Sequence, residues 1–190
     1  MLEVKTPDKS SPLFLLAVAA IERANLRPEL VVRQIDAPKG LAENAIAFTA
    51  EVEHSADHSH TSPGTGRFVL LWDPKPQEAW TGNFRIVCFV KSSLEVDIAG
   101  DERIADVALA WLSDALRNNR AVGESAAGTT TRIVSSGFGT LAAEPDHGEL
   151  ELRASWSPTD DNFAGHFSAW QDLICVMAGF SPHADGVSQI

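Results

Sequence analysis

The chain has 190 residues, 44% of them hydrophobic, and a formal net charge of −11. That length suits one domain with a core of its own. Its 15 Lys and Arg are scattered among 26 Asp and Glu, which argues against nucleic-acid binding and against docking on an anionic membrane, since both need a basic patch.

Residues 1–11 read as a flexible N-terminal arm. Ser11-Pro12 is a cap and first-turn pair, so a helix is expected from Pro12 to about Leu26, before Pro28. Its apolar run LFLLAVAAI is too short to span a bilayer, and Glu22-Arg23 follow it directly. It reads as a buried helix rather than a leader. Residues 30–35 form a short strand closed by Asp36 and Pro38. Residues 45–53 alternate, with Ile46, Phe48, Ala50 and Val52 inward and Glu51 and Glu53 outward. A polar loop, 54–65, comes next.

The stretch RFVLLWDPKPQEAWTGNFRIVCFV, residues 67–90, is two strands around a turn that carries Trp80. Phe68, Leu70 and Trp72 share one face, Val69 and Leu71 the other; two apolar faces predict a strand central in its sheet. Asp73-Pro74 stops it, and Pro76 keeps the connection out of the ladder. In the second strand Phe84, Ile86, Cys88 and Val90 oppose Arg85, Val87 and Phe89, and an antiparallel pair follows.

Asp101 and Glu102 open the clearest amphipathic helix, with Ile104, Val107, Ala108, Trp111, Leu112, Ala115 and Leu116 at helical spacing. Residues 129–135 read as a strand that Gly137 and Gly139 break, and 149–156 as an alternating strand ended by Pro158. Asp160 or Asp161 is expected to cap a last helix with the stripe Phe163, Phe167, Trp170, Ile174 and Met177, closed by Gly179. The sum is one α+β domain over 12–181, a mainly antiparallel six-stranded sheet with three helices packed on it, and a C-terminal tail, 182–190. Segments 33–52 and 132–156 echo each other as strand, Leu-Ala turn, strand.

The blocks GRFVLLWDP, EAW-G, FR-V and RASWSP, from Gly66 to Pro158, resemble an actinobacterial family known as domain of unknown function 3000. The resemblance covers nearly the whole chain. It implies a cytosolic protein of about this length, and brings no activity, cofactor or catalytic residue.

Chemistry is sparse. His54, His58 and His60, with Asp57 between, are the metal-ligand candidates, but their Ser-, Thr- and Gly-rich setting favours a solvated loop. His166 beside the last helix's stripe is either a general base or a buried, hydrogen-bonded histidine. Gly137-Phe138-Gly139 lacks the spacing of a phosphate loop and reads as a turn. Asp73, Trp80, Arg85 and Arg153 are the strongest candidates for a ligand or partner site; the plainer reading pairs the arginines with carboxylates on neighbouring strands. Cys88 and Cys175 sit in apolar settings that suit a reducing, cytoplasmic compartment. No catalytic residue, cofactor or resident metal is expected. The function read here is a non-enzymatic protein-binding or adaptor domain that uses a sheet face or edge near Trp80 to hold an unknown protein partner. The alternative is a small-molecule-binding domain or small enzyme with a pocket lined by Arg85, Arg153, Trp80 and His166.

Overall fold

The computed structural model describes residues 2, 4–6, 10–53, 64–75 and 77–182. Helix α1 (Pro12–Glu22) leads into strands β1 (Leu30–Ile35), β2 (Asn44–Val52), β3 (Gly64–Trp72) and β4 (Phe84–Leu94). Helices α2 (Val96–Gly100) and α3 (Ile104–Asn118) follow, then β5 (Gly123–Ser135), β6 (His147–Pro158) and α4 (Phe163–Met177). The strands form one antiparallel sheet in the order β1-β2-β3-β4-β6-β5. The α+β class, the six strands and the three longer helices agree with the sequence reading. Helix α2 is an extra single turn, too short to show a helical period.

β3 is central, as its two apolar faces require: Phe68, Leu70 and Trp72 face the helices, while Val69 and Leu71 are buried on the other side. β6 enters between β4 and β5, so α2 and α3 carry the chain from β4 to the far edge. β5 begins at Gly123, well before the β-branched run at Thr129. Its Gly-, Ser- and Ala-rich start has little strand preference of its own. Pairing with β6 recruits it, at the cost of a bulge between Glu124 and Ala127.

The helices cover one face of the sheet. α4 lies in the middle, against β2, β3 and β4 and between α1 and α3. Its spacing brings Phe163, Phe167, Trp170, Ile174 and Met177 onto the sheet. Gly66 makes that approach possible: a Cβ there would lie 2.5 Å from Ile174 Cδ1 and 2.8 Å from Trp170 Nε1. The N-cap of α4 is Asn162 rather than Asp160 or Asp161. Its Oδ1 accepts from Gly165 N at 3.0 Å, while its Nδ2 donates to the carbonyls of Asn119 and Arg120 and so ties the end of α3 to the start of α4. Within the segment read as an arm, Leu2 and Val4 pack against the core, and Lys5 exchanges two 2.7 Å hydrogen bonds with the Gln34 side chain. Among the described residues, no helix is long and apolar enough to cross a membrane.

Candidate functional site

The sheet face turned away from the helices is not simply solvated. Alternation puts Val69 and Leu71 of β3 there with Val87 and Phe89 of β4. The connections after β1 and β3 fold over one end of it, where Ile35, Ala37, Ala42 and Trp80 pack on Ala47, Val69 and Leu71. Beyond that cover the face is an open groove of about 480 Å³. Val69, Leu71, Val87 and Phe89 are among its lining residues, with Pro38 and Leu41. Leu41 and Val87 are 51% and 37% exposed, so apolar surface is accessible.

Among the described residues, Arg67 and Arg153 are the only charged side chains that line this groove. The strand register sets Arg33, Thr49, Arg67, Phe89, Arg153 and Thr129 in one row across all six strands. At the usual strand separation, neighbouring arginines in that row are about 10 Å apart. Arg33 pairs with Glu51 at 2.6 Å, both well exposed. Arg153 is 64% exposed; it bonds Glu151 at 3.3 Å and lies 4.9 Å from the Phe89 ring centre. Arg67 is exposed and forms no salt bridge among the described residues. A guanidinium held over an aromatic ring keeps its outer edge free for a carboxylate.

The structure divides the residues singled out from sequence. Arg153 lines the groove, and Trp80 covers the apolar patch at its closed end, half-buried. Arg85 is on the same face but buried, bonded to Ser125, Ser155 and Ser157. Asp73 organises the turn: its Oδ1 accepts from Lys75 N, and its backbone N–H donates to the Asn83 carbonyl. His166 is on the opposite side of the sheet, fully buried against Trp156. Arg85, Arg153, Trp80 and His166 therefore do not share one pocket. Arg67, Val87 and Phe89 were not picked out as site residues. Their alternation was the available signal, but their convergence depends on which strand pairs with which. His54, His58 and His60 lie outside the described residues. Among the described residues, no group of three or more His, Cys, Asp and Glu side chains is arranged to hold a metal.

His166 links α4 to β6. Its Nδ1 accepts from Trp156 Nε1 at 3.0 Å, and its Nε2 donates to Asp160 Oδ1 at 3.2 Å. A proton on Nδ1 would meet the indole N–H, so the ring is held neutral in this tautomer. Burial lowers its pKa, against the opposing pull of Asp160. The unfolded chain takes up a proton near the ordinary histidine value of about 6.5, where the folded chain does not. This contribution to stability is therefore complete above about pH 6.5 and declines as pH falls toward the depressed folded pKa. His166→Asn does not titrate, and its side-chain oxygen can take the place of Nδ1 as acceptor from Trp156 Nε1. Urea unfolding from neutral pH to about pH 5 is expected to show a steeper loss of stability in the wild type than in this variant. Parallel curves would refute the neutral-ring assignment.

The two thiols are inert by the same logic. Cys88 and Cys175 are free and buried, and burial pushes each up to about 12.

No curated protein and no solved structure matches the chain. Residues 10–188 match a family model described as "Protein of unknown function (DUF3000)", and the chain belongs to that family.

Proposed function

We propose that this protein is a non-enzymatic binding module that holds an acidic, apolar segment of a partner protein in the groove on the open face of its sheet. One observation carries the reading. In a chain of net charge −11, the described residues that line this accessible apolar groove include two arginines and no carboxylate. Leu, Ile or Phe side chains of a partner would cover Val87 and Phe89, and flanking Asp or Glu would meet Arg67 and Arg153. A cytoplasmic setting fits the two free, buried cysteines. The adaptor reading is also supported by His166, the strongest candidate for proton chemistry, being sealed in the core.

Selection of displayed random peptides against the wild-type chain tests this. Selected sequences are expected to place Asp or Glu beside large apolar residues. Val87→Asp, and separately Arg67→Glu with Arg153→Glu, should each weaken a selected peptide by at least about tenfold, or ~1.4 kcal/mol. All three positions are exposed, so the fold should survive the changes. Peptides without acidic enrichment, or with undiminished affinity for these variants, would sink the proposal.

A further inference from the structure

Two buried arginines in this fold are treated in opposite ways. Arg27 is 6% exposed and bonds both Glu29 and Asp172. Arg85 is 8% exposed, and among the described residues it meets no carboxylate. Its Nη1 donates to the Ser125 carbonyl at 2.9 Å and to Ser157 Oγ at 3.3 Å; its Nη2 donates to Ser155 Oγ at 2.7 Å. All three acceptors are neutral. Burial lowers the Arg85 pKa, and among the described residues no neighbouring charge offsets it. A buried cation without a counter-charge is costly, so a fold that keeps one leaves a place for an anion.

The surroundings supply donors rather than acceptors. A guanidinium has five N–H groups, and three are used here. Nε–H and one Nη2–H find no acceptor among the described residues. Ser155 and Ser157 both accept from Arg85, and Ser157 also accepts from the Thr81 N–H at 3.1 Å. Neither hydroxyl proton has an acceptor of its own among these residues. Thr81 Oγ1 and Ser125 Oγ share a single bond at 2.6 Å, which leaves one proton over. Ser125, Thr81 and Ser155 are exposed or half-exposed, so the cluster has a solvent side. Ser125 has φ 51°, uncommon for a residue other than glycine, within the β5 bulge. Backbone held this way is frequent where a ligand is clamped.

We propose that Arg85, Ser155 and the Thr81/Ser125 hydroxyl pair form an oxyanion-binding site. The ligand oxygens accept from the unused Nε–H and Nη2–H and from the free hydroxyl protons. The site does not depend on the groove having a peptide ligand. Phosphoryl and carboxylate groups share the chemistry it recognises, and titration separates them.

The Arg85 Nε–H signal of the ¹⁵N-labelled chain is followed by NMR while sodium phosphate, and separately sodium acetate, is added at constant ionic strength against a chloride control. A saturable shift with at least one is expected, and the tighter binder names the ligand class. Thr81→Val with Ser155→Ala leaves Arg85 in place and should weaken that binding about tenfold. No saturable shift beyond chloride with either anion would overturn the site. So would unchanged affinity in the folded double variant.

Discussion

Phe167→Ala is expected to destabilise the protein by about 3–5 kcal/mol, the range for emptying a fully buried aromatic site. Phe167 has no exposed surface, and its ring is 5.1 Å from Phe48, 5.3 Å from Phe68 and 5.2 Å from Trp170. The first two contacts are edge-on, so the phenyl ring is the wedge that joins α4 to β2 and β3. Alanine leaves a void between a helix and a sheet that cannot both move in. For a chain of this size the thermal midpoint should fall by roughly 6–20 °C. Leu109→Ala is the control: its side chain is 57% exposed, and its loss should stay within about 0.5 kcal/mol. Calorimetry or urea unfolding measures both. A loss below about 1 kcal/mol at Phe167 would mean that the α4 layer is not seated as described.

Arg27→Met is the second large effect, at about 3–5 kcal/mol, because it breaks a buried ion cluster from one side. The Arg27 guanidinium takes both Glu29 oxygens, at 2.8 and 2.9 Å, then Asp172 Oδ1 at 3.0 Å and the Ser181 carbonyl at 3.2 Å. Burial works against its charge, but the bond to Glu29, with the negative charges of Glu29 and Asp172, wins, so Arg27 holds its proton more tightly than an ordinary arginine. Its backbone N–H also donates to Gln171 Oε1 at 2.9 Å, fixing the α1–β1 connection to α4. Removing the cation leaves Glu29 and Asp172 close together in a poorly solvated place. The triple change Arg27→Met, Glu29→Gln, Asp172→Asn removes that penalty and should be more stable than the single variant by at least about 1 kcal/mol. If the two unfold at the same denaturant concentration, the loss comes from packing, and the electrostatic account fails.

The contrast between the arginines shows where sequence reading stops. Arg27 and Arg85 each follow a short apolar or polar segment without a distinguishing mark. Only the pairing of α4 with the α1–β1 connection brings Asp172 to Arg27. Only the insertion of β6 beside β4 gives Arg85 two serines. The groove has the same origin. Alternation alone puts Arg67, Val69 and Leu71 on one face, and Val87 with Phe89 on one face of their own strand. Whether those faces coincide, and which strand sets an arginine over Phe89, is decided by register across the sheet. His166 shows the converse. Its place beside the α4 stripe was legible, but its two hydrogen bonds reach Trp156 and Asp160 through the turn that joins β6 to α4.

The amino-acid sequence by itself determined the class and the layers: one amphipathic helix face for α4, a strand at 68–72 buried on both sides, and alternating partners for it. These follow from local spacing, because burial of a helix stripe or a strand face is a property of neighbours along the chain. The tertiary structure alone decided the order β4-β6-β5, the recruitment of the Gly- and Ala-rich start of β5, the arginine row over an apolar floor and the Arg85 hydroxyl cluster. Each of these joins residues far apart in sequence, and the free energy that selects one register over another comes from the whole sheet and the helices packed on it.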